Sequence, residues 1–351
     1  MLKLSQKQQK IIAIFLKKSP LSSSQIHLEL LKSGEDVSLV TTKRAISKMA
    51  RQNILKTSGA GRSTVYFINT LGRILADIDA KKYCSIEPDK RYGLKQYNFD
   101  LFSNFPDEIF TDEELNALTV ATIQYKHRTK NLSEIIQKKE LERLVIELSW
   151  KSSKIEGNTY TLLETEKLIL ENKVAPNKTK EETQMILNHK EAFDFIHENA
   201  ERFKTLNKRN LEELHKILVK NLGVNFCLRK KPVGVIGSVY HPLDNIYQIT
   251  EAIEGLGKKI SQTKTPYDKS FLALIGLSYI QPFEDGNKRT GRLMTNAILL
   301  AYGLAPLSYR SIDENEYREA LLVFYELNTI KPFKKIFIEQ YLFAAKNYSV
   351  K

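Results

Sequence analysis

The stretch Gln281-Pro282-Phe283-Glu284-Asp285-Gly286-Asn287-Lys288-Arg289-Thr290-Gly291-Arg292 decides how most of this 351-residue chain is read. Upstream, Thr265-Pro266 opens an apolar run (Phe271, Leu272, Leu274, Ile275, Leu277) that Pro282 ends, because proline cannot continue a helix. A second apolar helix is expected from about Asn287 to Tyr302. The Asp285-Gly286 turn between them leaves backbone N–H groups free at a helix start, a ready anion site. Arg289 and Arg292 are spaced i, i+3, so both guanidinium groups leave one face of the first turn, and their forks match phosphate oxygens. Asp285 is placed to hold Mg²⁺ through one carboxylate, the usual way that ion is bound beside a nucleotide. Together these residues describe a polyphosphate cradle.

The loop resembles the signature of the Fic (Fic/Doc) family, HPFx[D/E]GN[G/K]RxxR, and eight of the nine specified positions match. The resemblance extends over roughly residues 95–340. It implies a nucleotidyltransferase that moves the AMP of ATP onto a Ser, Thr or Tyr hydroxyl of a target protein. By it, Asp285 carries Mg²⁺, Asn287 contacts the α-phosphate, Gly286 and Lys288 supply backbone amides, and Arg289 and Arg292 hold the β- and γ-phosphates. The departure is Gln281, which stands where the family has its general-base histidine. Glutamine does not titrate, and loss of a positioned base costs about 10²–10⁴ in rate while leaving a nucleotide cradle intact.

Two further segments fit the resemblance. Ser152-Ser153-Lys154-Ile155-Glu156-Gly157 is similar to the family's inhibitory motif, [S/T]xxxE[G/N]. Ser152 and Glu156 share a helix face and Gly157 is a natural stop; a carboxylate on Arg292 would occupy the γ-phosphate subsite. Val233 to Tyr240 is β-prone, and with His241 it resembles the family's flap, a hairpin that receives an extended target segment by strand addition. Val239, Tyr240 and His241 are its expected target-facing residues.

The formal net charge is +13, and it is not evenly spread. Residues 1–70 hold 12 Lys/Arg against 3 Asp/Glu, a net of +9, leaving +4 for the rest. Ser5/Gln8 and Ser22/Gln25 have the capping-box spacing ahead of apolar stripes, and a third helix is expected near Ser38. On that helix Thr41, Arg44, Lys48 and Arg51 form a stripe opposite Ala45, Ile46, Met49 and Ala50. Two β-prone stretches, 54–57 and 63–68, flank Ser58-Gly59-Ala60-Gly61. Three helices and a glycine-tipped hairpin resemble a winged helix-turn-helix, with the third helix in the DNA major groove and Arg62 near phosphate. Between Val40 and Arg62 stand six Lys/Arg and no acid, the footprint of a polyanion partner. A basic face on a module that only contacts protein is the alternative.

Apolar runs are too short for a membrane span or a secretion signal, and Cys84 and Cys227 offer neither a disulfide framework nor a metal motif, so a cytoplasmic location without membrane partners is expected. The expected architecture is mainly α. A winged helix domain (1–84) and a connector or packed arm (85–110) precede an all-α Fic domain (111–351) with its inhibitory helix near 133–157, one β-hairpin flap near 233–241 and the loop at 281–292. The leading functional expectation is an autoinhibited adenylyltransferase weakened by Gln281; the alternative is a catalytically dead, ATP-binding, DNA-binding transcriptional regulator. Whether it acts as a homodimer is left open by the sequence.

Overall fold

The computed structural model describes residues 2–350; Met1 and Lys351, the ends of the first and last expected domains, lie outside them. The chain divides into two compact units. The first comprises Met1–Pro106, Gly234–His241 and Arg318–Lys334, and the second Asp107–Val233, Pro242–Tyr317 and Lys335–Lys351.

In the first unit, local capping sets the helix starts. Helix α1 (Gln6–Lys17) begins at Ser5, whose hydroxyl accepts from the Gln8 backbone while the Gln8 side chain accepts from the Ser5 N–H. Helix α2 (Ser23–Lys32) repeats this with Ser22 and Gln25, and α3 (Leu39–Arg51) is capped by Ser38. Strands β1 (Leu21–Ser22), β2 (Leu55–Ser58) and β3 (Val65–Ile68) form an antiparallel sheet in the order β1-β3-β2, with Leu55 opposite Ile68 and Ser58 opposite Val65. The return strand starts later than expected because Gly61–Ser63 forms a 3-10 turn. Gly59 permits this close reversal: its φ is +80°, and a Cβ there would meet the Ser63 carbonyl at 2.7 Å. Short helices α4 (Thr70–Ile74) and α5 (Ala80–Cys84) follow. One core joins Ile11, Phe15, Ile26, Ile46, Met49 and Tyr83 with Val323 and Leu327 from the far end of the sequence.

The second unit is helical: α6 (Asp112–Thr129), α7 (Glu134–Ile155), α8 (Leu162–Glu171), α9 (Lys180–Glu198), α10 (Lys208–Leu218), α11 (Ile246–Gln262), α12 (Pro266–Ile280) and α13 (Asn287–Ala301). Helices α14 (Glu314–Leu327) and α15 (Lys331–Asn347) contribute residues to both units. Helix α12 is apolar all round and buried from Tyr267 to Ile280 apart from Lys269, as a central helix must be. It packs on α13, where Gly291 lets the backbones approach: a Cβ there would stand 3.3 Å from the Leu274 carbonyl. The mainly helical fold is the one expected; the sheet has a third strand, β1, beyond the expected hairpin.

Helix α8 is not among the elements expected from the sequence, although Thr161 and Glu164 form a capping box at its start. Residues 85–106, within the expected connector or arm, are grouped with the first unit. The segment expected as a β-hairpin flap is extended chain with a turn closed by Ser238 N–H donating to Val235 O at 3.1 Å; its only bridge runs parallel, between His241 and Gln96. Its β-prone residues find no antiparallel partner within the segment, so no hairpin ladder forms.

Candidate active site

The signature loop joins the two most buried helices. Helix α12 ends on Gln281 in the left-handed conformation (φ 51°), uncommon for a residue with a Cβ. The side-chain amide of Gln281 donates to Ser278 O at 2.6 Å. Asn287 closes the loop on itself: its Oδ1 accepts from the Phe283 N–H and its Nδ2 donates to Phe283 O, both at 2.8 Å. Gly286 then starts α13 at φ +74° with no side chain capping the first turn, so the amides there are unclaimed by any capping group.

Two buried guanidinium groups stand above that turn. Arg289 donates from Nη2 to Asp285 Oδ2 at 2.9 Å, and its buried Nη1 has no hydrogen-bond acceptor. A buried cationic donor with nothing to donate to fits an absent anion. Burial lowers the Arg289 pKa, which the nearby Asp285 and Glu156 charges oppose. Arg292 has no exposed side-chain surface. It donates from Nε to Ser152 Oγ at 2.7 Å, and from Nη2 to Ser152 O at 2.9 Å and Glu156 Oε1 at 2.8 Å. The other oxygen of Glu156 accepts from Lys288 Nζ at 3.0 Å. Burial alone would raise the Glu156 carboxyl, but the charges of Arg292 and Lys288 outweigh it and hold the pKa down at about 2. Gly157 stops α7 at φ +97°, as its position after Glu156 suggested.

Asp285 has 64% of its side chain exposed while one of its oxygens is bonded to Arg289, and its neighbour Glu284 is exposed as well. No cluster of three or more His, Cys, Asp or Glu able to hold a metal occurs among the described residues. A single exposed carboxylate such as that of Asp285 is the protein contribution that a Mg²⁺ ion beside a nucleotide would need.

Several residues that hold the loop carry no sequence signal. Arg229, 1% exposed, donates from Nε to Gln281 O at 2.7 Å and from Nη1 to Lys231 O at 2.8 Å, and its backbone N–H donates to Pro282 O at 3.0 Å. Its Nη2 also donates to Leu243 O. His215 on α10 lies flat on Phe283, with centroids 3.6 Å apart and planes at 6°. Its ring nitrogens reach Asp285 O at 2.9 Å and Phe226 O at 3.0 Å. Burial pushes its pKa down, against the two carbonyls. His189 on α9 is fully buried and held neutral, well below its usual range, by that burial and by the charges of Arg292 and Arg289.

The expected site residues thus fall into two groups. Ser152, Glu156, Asp285, Lys288, Arg289 and Arg292 converge in the second unit, with Gln281 and Asn287 shaping the loop. Thr41, Arg44, Lys48, Arg51 and Arg62 belong to the first unit and are all exposed. Val239, Tyr240 and His241 are also first-unit residues, and Tyr240 is buried at 1% exposure, stacked on Tyr325.

Residues 205–299, which include the loop, match the model of the Fic/DOC family. The chain is 27% identical over 188 residues to a protein adenylyltransferase Fic of Nematostella vectensis, covering 52% of this chain and 44% of that protein. It is 29% identical over 184 residues to one of Drosophila yakuba, covering 51% and 37%. The chain spans less than half the length of these curated relatives. Among solved structures, Fic-1 from C. elegans aligns with a TM-score of 0.55 at 20% identity, over 67% of this chain and 70% of that one. A Fic family protein from Desulfovibrio desulfuricans aligns at 0.56 and 21%, over 69% and 75%. These structural likenesses concern the fold. Residues 205–299 of this chain are a domain of the Fic/DOC family.

Proposed function

We propose that the chain is a Fic-type protein adenylyltransferase held off by Glu156 and weakened at the chemical step by Gln281. The observation that carries this reading is the loop itself. Two buried guanidinium groups face the open start of α13, and Glu156 is bonded to one of them. The adenylyltransferase names of the curated relatives support it.

In this reading ATP is the co-substrate. Asp285 would hold Mg²⁺ against the phosphates, the first amides of α13 would take phosphate oxygens, and Arg289 and Arg292 would neutralise the terminal charge. Asn287 acts by fixing the loop. A Ser, Thr or Tyr hydroxyl of the target protein, received along the 233–241 segment, attacks the α-phosphorus; the bond to pyrophosphate breaks and the hydroxyl proton must leave. Gln281 cannot accept that proton, so transfer is slow while nucleotide binding is retained. Glu156 on Arg292 places a negative charge where the terminal phosphate would sit, which disfavours ATP in its productive pose.

A second reading is favoured by the exposed Thr41, Arg44, Lys48, Arg51 stripe on α3: a DNA-binding regulator with a winged N-terminal module that keeps the ATP cradle without chemistry. Transfer of radiolabelled AMP separates the two. Gln281→His combined with Glu156→Gly is expected to label protein at a rate at least about 10²-fold above the parent. ATP binding without any transfer by that double variant would leave the regulator.

A further inference from the structure

The chain between 234 and 241 is built into the first unit, whereas its neighbours Val233 and Pro242 belong to the second. What holds it there is a buried ionic cluster. Glu326, 1% exposed, accepts from Ser238 Oγ at 2.6 Å, from Tyr83 Oη at 2.7 Å, and lies 3.4 Å from Arg91 Nη1. Arg91 in turn donates from Nη2 to Gly237 O, so the pair grips the turn of the segment from both its backbone and its side chain. The Ser238 hydroxyl also accepts from the Tyr240 N–H at 3.1 Å, and His241 N–H donates to Lys95 O at 2.8 Å. Gly93 lies against the backbone of Glu326: a Cβ there would meet Glu326 O at 2.5 Å, and φ is +146°.

The same carboxylate sits beside the core of the N-terminal module. Val323 and Leu327, three residues before and one after Glu326 on α14, pack with Ile11, Phe15, Ile46 and Met49, and Tyr83 is a member of that core. The Tyr83 hydroxyl is pushed up by burial and by its bond to Glu326, and so remains a donor. We propose that Arg91 and Glu326 are positioning residues that fix the 234–241 segment and tie its conformation to the folded N-terminal module, so that the edge offered to a target is set by that module. The assignment of this segment to target docking rests on the adenylyltransferase reading; its anchoring by Arg91 and Glu326 does not.

The ionic character of the anchor matters. Glu326→Gln keeps the shape and an acceptor but leaves Arg91 buried without its counter-charge, and Arg91→Lys keeps the charge without the fork that spans Gly237 and Glu326. Ser238→Ala removes the bond to Glu326 and the one from the Tyr240 N–H but leaves both charges of the ion pair in place.

Hydrogen exchange on the full-length chain tests the anchor. Amides from 234 to 241 are expected to exchange at least tenfold faster in Glu326→Gln and Arg91→Lys, and measurably faster in Ser238→Ala, with ATP affinity within twofold of the parent. Unchanged exchange in that segment, or acceleration spread evenly over the chain, would overturn the proposal; the mild Ser238→Ala variant guards against simple misfolding. In the Gln281→His, Glu156→Gly background the same variants should raise the KM for a protein target and leave kcat in place, and a loss confined to kcat would count against positioning. If that background transfers no AMP, the adenylyltransferase reading fails, while the exchange result still decides the anchor.

Discussion

Glu156 Oε1 lies 2.8 Å from Arg292 Nη2, at a guanidinium with no exposed side-chain surface. The second carboxylate oxygen, on Lys288, makes the glutamate a bridge between two cations of one helical turn. This relationship fixes both the electrostatics of the loop and what removing the glutamate does.

Glu156→Gly should strengthen binding of MgATP. It frees two cationic donors and removes a negative charge from the place the phosphates would take. Hydrogen bonds to charged groups are worth about 1.5–3 kcal/mol, which corresponds to a gain of roughly 10- to 100-fold in affinity. Isothermal titration calorimetry reads it directly; equal affinities would show that Glu156 and the nucleotide do not compete.

The same pair predicts a pH dependence of stability. A carboxyl lowered from 4.5 to about 2 contributes stability that is complete above its unfolded value and is lost as pH falls through the folded value. A shift of that size is on the order of 3 kcal/mol. The difference in melting temperature between the parent and Glu156→Gln should stay level from pH 8 to about 5 and narrow below about 4. A difference that collapses already near pH 6 would mean that Glu156 is not the titrating partner of Arg292.

Gly286→Ala should destabilise the second unit by about 1–3 kcal/mol, the cost of forcing a residue with a Cβ into the left-handed region. The new methyl would also lie 3.3 Å from His215 Nε2, so the ring beneath Phe283 must shift. Thermal unfolding monitored by circular dichroism gives the magnitude, and a change below about 0.5 kcal/mol would place the strain elsewhere.

Lys48 and Arg62 are exposed in the first unit, one on α3 and one in the 3-10 turn before β3. If both meet phosphate, replacing both with alanine in the full-length chain should flatten the slope of log affinity for duplex DNA against log salt by about 1.8, or 0.9 per contact. An undiminished slope would show that DNA, if bound, is met by another face.

Where the determinants are local, they were readable from the residues. Ser5 with Gln8, Ser22 with Gln25 and Thr111 with Glu114 mark helix starts because a cap bonds amides two or three positions away. The spacing of Arg289 and Arg292, and of Ser152 and Glu156, likewise follows from helix geometry. Long-range groups left no such trace. Lys288 was expected to act through its backbone amide, and its ammonium turns out to be the second partner of Glu156. Arg229 and His215 are aimed at main-chain carbonyls, which every residue possesses, so nothing in the sequence distinguishes them. The 233–240 segment read as a hairpin because its residues favour extended chain; its actual partners, Arg91, Lys95 and Glu326, lie about 90 to 150 positions away.

Ser152 and Glu156 bracket the final turn of α7, and Arg292 is held by those two residues and nothing further along that helix. Helix ends open far more readily than helix interiors, because few hydrogen bonds separate them from coil. Unwinding that one turn would strip Arg292 of its serine and glutamate partners together, with the preceding five turns still docked. That turn is buried, with Ser152 and Ser153 at 0% exposure, so opening it costs the bonds to Arg292 as well as its own helix bonds, a cost that a ligand claiming Arg292 would have to offset.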